Sequence, residues 1–231
     1  MTSREIALNN IKRVAFRLGR LRERVVFLGG SIVPLLITDP AAPDSRPTKD
    51  VDVAVNAASL REVYQLENEL RQLGFLHAQM PGDPTCRWTV DSCVVDVIPV
   101  GRAFNTYNDL WSTSAIEHAA ILDIGDNITI RHVTAPYFIA IKLETFEERG
   151  AGDYMMSQDI ADIVQVLDGR TEIAVEVRSS EADLAEYIRL SFRSLLQTDG
   201  FLDSLPAHLL PDAASQARQP IILQSMETIC V

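Results

Sequence analysis

Three aspartates and a glycine pair stand where they could do chemistry. Asp50 and Asp52 open the β-branched run Asp50-Val51-Asp52-Val53-Ala54-Val55, and Asp96 interrupts a second one, Cys93-Val94-Val95-Asp96-Val97-Ile98. Upstream, Val25-Val26-Phe27-Leu28 runs into Gly29-Gly30-Ser31. A carboxylate inside an apolar strand is costly unless something pairs with it. Side chains two apart on a strand share a face, so Asp50 and Asp52 point one way while Val51, Val53 and Val55 point the other. If the strand 93–98 pairs beside 50–55, Asp96 stands within roughly 5–7 Å of the pair. Such a cluster repels itself unless a cation sits in it or a member is protonated. Mg²⁺ takes a few carboxylates together with substrate phosphate oxygens and water, and two such ions can clamp the attacking and leaving oxygens of a phosphoryl displacement. The expectation is therefore a site for two Mg²⁺ ions on Asp50, Asp52 and Asp96, acting on a nucleoside triphosphate.

The glycines have a matching role. Gly29 and Gly30 let backbone approach a phosphate without interference from a Cβ, and they permit positive φ. Ser31 adds a hydroxyl and an N–H. A helix over 31–38, with Pro34 in its first turn, would add unpaired N–H groups for an anion. Each piece alone has an ordinary reading: a turn, a solvated acid pair, an Asp96 neutralised by an arginine such as Arg87. Their order along the chain is what favours catalysis.

These residues resemble a known family. Gly29-Gly30-Ser31, Asp50-x-Asp52 and Asp96 look like the signature of the polymerase-β-like nucleotidyltransferases, and Arg46-x-Thr48-x-Asp50-x-Asp52 resembles more closely the AbiEii-like toxin nucleotidyltransferases. Downstream, Ala135-Pro136-Tyr137-Phe138-Ile139-Ala140-Ile141-Lys142-Leu143-Glu144 is similar to that family's Pro-x-x-Leu-x-x-x-Lys-Leu helix. The stretch Gly152 to Ile163 is similar to its Lys-Asp-x-x-Asp-Leu helix, with Gln158 in place of the basic residue. The resemblance covers residues 25–170. It implies an α/β (α+β) nucleotidyltransferase core, a mixed β-sheet with flanking helices, followed by a helical C-terminal region. The activity implied is transfer of a nucleoside monophosphate from a triphosphate to an acceptor hydroxyl. Asp50, Asp52 and Asp96 would be the catalytic and metal-binding residues. Gly29, Gly30, Ser31, Arg46, Lys142 and Asp159 would bind the nucleotide. The acceptor implied is a tRNA or a protein, with a cognate antitoxin as partner. Two other readings stay open: an aminoglycoside or lincosamide nucleotidyltransferase, and a non-catalytic nucleotide-binding relative.

Composition bounds these readings. The chain has 231 residues, 47% of them hydrophobic, which is enough for one large domain or two small ones. No apolar run reaches the ~18–20 residues needed to cross a bilayer, and Met1-Thr2-Ser3-Arg4-Glu5 lacks the order of a signal peptide. Cys86, Cys93 and Cys230 are an odd count without zinc spacing, which points to a reducing cytoplasm. The net charge of −11 is unlike a nucleic-acid binder and would steer a cationic substrate. Yet Arg13, Arg17, Arg20 and Arg24 follow helical spacing near the N-terminus. That stripe suits either phosphate binding or the solvated side of a helix resting on Ile6, Ile11, Val14, Phe16 and Leu18.

Periodicity sets the frame. Helices are expected over 4–22, 31–38, 58–73 and 111–118, and strands over 24–28, 50–55, 86–90, 93–98 and 128–133. A hairpin turn falls at Asp91-Ser92. From Pro136 the chain reads as helices only: 136–149, 157–168, 171–178, 181–196 and 201–209, with a helix or tail from Gln219. The boundary places a catalytic core at 1–134 and a helical domain at 135–231. Ser157 is a candidate cap for the helix carrying Asp159, and Ser180 begins a near capping box.

Overall fold

The structure, a computed structural model, describes residues 1–78, 80, 82–101, 110–150 and 152–231. These form two compact units, one of residues 1–34 and 44–134, the other of residues 35–43 and 135–231.

The first unit is built on a seven-stranded mixed sheet of order β3-β4-β5-β2-β1-β7-β6. Its strands are β1 (Val25–Leu28), β2 (Asp50–Asn56), β3 (Leu76–His77), β4 (Arg87–Val90), β5 (Cys93–Val100), β6 (Ala120–Asp123) and β7 (Thr129–His132). The all-apolar β1 lies centrally and is buried along its length, as a strand covered on both faces must be. β2 runs parallel to β5 and antiparallel to β1. Its Val51, Val53 and Val55 are buried, while Asp50 and Asp52 on the other face are half-exposed. β4 and β5 form the expected hairpin, and Asp91 (φ 45°) and Ser92 (φ 65°) both take positive φ as a two-residue turn requires. The short edge strands β3 and β6 carry no sequence signal strong enough to place them.

Among the described residues, the helices α1 (Ser3–Leu18), α3 (Leu60–Gln72) and α4 (Leu110–Glu117) lie in this unit, and the short α2 (Val33–Leu36) straddles its boundary at Pro34. A capping box of Thr2 and Glu5 starts α1, and Gly19 ends it. Its buried face is Ala7, Ile11, Val14, Ala15 and Leu18, whereas Ile6 and Phe16 lie exposed, contrary to the expected apolar contacts. The arginine stripe is solvated: Arg17 pairs with Asp91 and Arg24 with Glu69. The helix expected over 31–38 is a 3-10 turn, Gly30–Ile32, followed by the four-residue α2. It is too short to supply the anion site expected at its start.

The second unit is helical: α5 (Ala135–Arg149), α6 (Gln158–Gly169), α7 (Ile173–Arg178), α8 (Ala182–Leu196), α9 (Asp199–Ser204), α10 (Ala213–Gln216) and α11 (Gln219–Cys230). α5 is buried on nearly every side, which marks it as the central helix. Ser157 caps α6 by accepting from the Ile160 N–H. Ser180 does not cap α8; its hydroxyl donates to the Val177 carbonyl instead. The segment 35–43 joins this unit through backbone: Thr38 and Asp39 N–H both donate to the Gly169 carbonyl, and Asp39 receives Arg218 at 2.7 Å. A mixed sheet with flanking helices followed by helices alone is the α/β (α+β) arrangement that the sequence implies. Among the described residues no helix is long and apolar enough to cross a membrane.

Candidate active site

The parallel register of β2 and β5 sets Asp52 directly beside Asp96 and Asp50 beside Val94. Residues in register on adjacent strands share a face, so all three carboxylates stand on one side of the sheet. Asp96 is 8% exposed, a buried acid in mid-strand as expected. On its other side β2 pairs with β1, where Leu28 lies opposite Asp52. Gly29 is the next residue, and it has little room. A Cβ placed there would fall 1.8 Å from Asp52 Oδ2 and 2.6 Å from its Cγ. Its backbone (φ 72°, ψ −172°) lies in a region essentially reserved for glycine. The glycine is therefore required by the carboxylate itself, not only by the open approach to phosphate that the sequence suggests.

Ser31 is 1% exposed and its Oγ has no hydrogen-bond partner. An unsatisfied buried hydroxyl costs about 1–3 kcal/mol and calls for an explanation such as an absent ligand. Ser45 Oγ, 6% exposed, is orphaned in the same way. Beside it, Asp44 accepts from the N–H groups of Ser3 (2.6 Å) and Arg4 (3.1 Å), tying the segment that carries half-buried Arg46 to the start of α1.

Arg87 is a cation on two of these carboxylates, Asp96 and Asp50. Its Nε and Nη2 donate to Asp96 Oδ1 and Oδ2 at 2.8 and 2.7 Å, a bidentate pair, and Nη2 also reaches Asp50 Oδ2 at 3.3 Å. The Asp91-Ser92 turn fixes this arrangement, because it places Arg87 directly across from Asp96 in the antiparallel hairpin. The hydrogen-bonded Asp96 raises the guanidinium's pKa above its ordinary value, so Arg87 stays charged. The neighbouring Cys86 thiol is pushed up, first by burial and then by Asp96, which makes it a poor nucleophile.

Among the described residues no three His, Cys, Asp or Glu side chains converge as a ready metal site. The donor set still suits a hard divalent cation in kind: aligned carboxylates beside a buried, unsatisfied hydroxyl. The arginine on two of these acids fills part of the role that the sequence gives to metal.

Lys142 and Asp159, expected to bind nucleotide, belong to the helical unit and pair with each other. Lys142 Nζ donates to Asp159 Oδ1 at 2.9 Å and lies 2.8 Å from Asp162 Oδ2. Burial alone would lower the ammonium's pKa; Asp162 and then Asp159 more than offset this, and the net shift is upward. Lys142 is thus already compensated inside the unit rather than presented as a bare phosphate donor. Arg149 reaches Asp159 at 3.5 Å from a largely exposed position. Sequence reasoning places Arg87 only as an alternative partner of Asp96, and it reads Asp44 and Ser45 only as residues of a loop, marked also by Pro40, Pro43 and Pro47, that should lie over the active site. The available signal for Arg87 was the hairpin turn, whose two-residue length fixes which residue faces Asp96.

No protein-family model matches the chain, and no curated protein matches it. Solved structures do resemble it. An antigenic nucleotidyltransferase-like protein from Paracoccidioides brasiliensis is similar over 93% of this chain and 96% of its own, at 15% identity and a TM-score of 0.48. JHP933 from Helicobacter pylori is similar over 98% of this chain and 92% of its own, at 12% identity and a TM-score of 0.48. The antibiotic-resistance factor ANT(2'')-Ia is similar over 82% of this chain and 92% of its own, at 14% identity and a TM-score of 0.46. At such low identity and TM-score these likenesses transfer no activity.

Proposed function

We propose that the chain is a Mg²⁺-dependent nucleotidyltransferase that moves a nucleoside monophosphate from a nucleoside triphosphate to an acceptor hydroxyl. One observation carries this reading: Asp52 and Asp96 stand in register on parallel strands, Asp50 shares their face, and the turn pressed against Asp52 holds a buried serine hydroxyl with no partner. Asp50, Asp52 and Asp96 would hold the cation. When bound, Mg²⁺ supplies charge neutralisation at the triphosphate oxygens. The Ser31 hydroxyl donates to a phosphate oxygen, which satisfies the orphaned group. Gly29 keeps the turn close enough for that contact and fixes the Asp52 carboxylate. Asp96 orients the acceptor hydroxyl and takes its proton; the acceptor oxygen bonds to the α-phosphorus and pyrophosphate leaves. Arg46 reaches for the triphosphate from its tethered loop. Catalysis is mostly positioning and charge compensation.

The acceptor in this reading is a macromolecular hydroxyl, a tRNA end first and a protein second. The enzyme would be the toxin of a toxin–antitoxin pair, working in the cytoplasm. Support comes from the resemblance of residues 135–144 and 152–163 to the AbiEii-like helices. A cationic antibiotic is the second reading, favoured by the net charge of −11. Purified protein, Mg²⁺ and each labelled triphosphate, offered total tRNA, cell protein and aminoglycosides, separates them. Label on tRNA that disappears in Asp52→Ala supports the first reading, and label on the aminoglycoside the second. No transfer to any acceptor and no pyrophosphate release would sink the enzyme reading.

A further inference from the structure

We infer that Arg87 is a tethered competitor of the divalent cation: it holds the Asp96 and Asp50 carboxylates in the metal-free chain, and metal enters by displacing it. This rests on the nucleotidyltransferase reading above and adds a residue that sets its metal affinity. Both Asp96 oxygens accept from the same guanidinium, and Asp50 shares one of its nitrogens, so these two acids are engaged before any metal arrives. Arg87 brings one positive charge to the two carboxylates it holds, Asp96 and Asp50, and a divalent ion at the same oxygens brings more.

The site is also built for exchange. Arg87 is the first residue of β4, immediately after a turn in which its N–H donates to the Pro84 carbonyl. Its side chain is 26% exposed and so has a route to solvent. Asp83 Oδ1 stands 4.0 Å from Nη1, a second carboxylate able to keep the guanidinium once it leaves Asp96. A planar fork gripping both oxygens is something lysine cannot reproduce. A weaker grip should therefore yield to metal more easily.

The test is Mn²⁺ binding without nucleotide, read from the electron paramagnetic resonance of free Mn²⁺, on the wild type, Arg87→Met, Arg87→Lys and Asp52→Asn. Far-UV circular dichroism checks that each variant is folded. Arg87→Met should bind Mn²⁺ at least roughly tenfold more tightly than wild type, the low end of what one adjacent cation does to a carboxylate's proton affinity. Arg87→Lys should fall between, and it serves alone if the methionine variant does not fold. The thermal midpoint of either variant should also rise more on adding Mn²⁺ than that of the wild type. If Arg87 only braces the hairpin, both variants lose stability and bind Mn²⁺ no better, and the inference is overturned. In that outcome the function stands so long as the wild type binds Mn²⁺ and Asp52→Asn does not. If neither wild type nor variants bind Mn²⁺, the metal-dependent reading fails and takes this inference with it.

Discussion

Replacing Lys142 with methionine separates a structural role from phosphate binding. Its ammonium is 2.9 Å from Asp159 and 2.8 Å from Asp162, and the three side chains are 11, 9 and 0% exposed. Methionine fits the volume but leaves two buried carboxylates without that charge. Removing one partner of a buried ion pair costs about 3–5 kcal/mol. Arg149 stays near Asp159, so the lower end, about 3 kcal/mol, applies here. For a unit of about 100 residues, each kcal/mol moves the midpoint by about 4–8 °C, so the fall should be about 12–24 °C. The pH of the experiment is set by the sign of the shift. Lys142 is raised above the ordinary lysine value of 10.5, so its stabilisation is complete below that value and lost only as pH rises through the raised one. Neutral buffer therefore carries the whole effect. Both tryptophans, Trp88 and Trp111, lie in the sheet unit, so their fluorescence follows that unit while far-UV circular dichroism follows the helices. The predicted result is an early helical transition with the tryptophan signal little changed. Adding Asp162→Asn should recover part of the loss by removing one buried negative charge that Lys142 no longer balances. A wild-type midpoint in Lys142→Met would refute the reasoning. If such a variant also lost triphosphate affinity, Lys142 would be a phosphate ligand after all.

Gly29→Ala should destabilise the sheet unit by about 1–3 kcal/mol, from the backbone region it must occupy. Because the new Cβ would lie 1.8 Å from Asp52 Oδ2, the carboxylate has to move, and nucleotidyl transfer should fall by about a hundredfold, as a displacement near 1 Å commonly costs. Equal activity with a wild-type midpoint would show that Asp52 is not held by this turn. His208, whose Nε2 donates to the Tyr154 carbonyl at 2.7 Å, has its pKa lowered by burial below the ordinary 6.5. Its neutral form is favoured by folding, so stability is full above about pH 6.5 and falls as pH drops through that value toward the lowered one. The circular dichroism midpoint should decline between pH 7.5 and 5.5, and His208→Gln should flatten that decline; an unchanged slope would assign it elsewhere.

How much of this was legible in the sequence differs from element to element. The strand carrying Asp50 and Asp52 was legible because alternation is local: every second residue is a valine, and Val51, Val53 and Val55 are all buried. The hairpin was legible for the same reason, and its register followed from a two-residue turn. The interior position of α5 was not, since a helix apolar on nearly every side does not announce its neighbours. The excursion of residues 35–43 into the helical unit rests on hydrogen bonds to Gly169, which lies well over a hundred residues away in the chain. The near capping box at Ser180 failed because its hydroxyl found a closer acceptor in Val177.

By itself the sequence determined which groups are available: three aspartates on strands, glycines before them, a serine in the turn, and a chain that changes from mixed to helical near Pro136. Those facts follow from residue type and short-range periodicity, which hold before any distant contact forms. Only the tertiary structure decided what each group touches. It put Arg87 on Asp96 and Asp50, set Gly29 against Asp52, and spent Lys142 on Asp159 and Asp162. A charged side chain in a protein of low internal dielectric must find its opposite wherever the fold brings one near, and that neighbour is fixed by strand register and helix packing rather than by spacing along the chain.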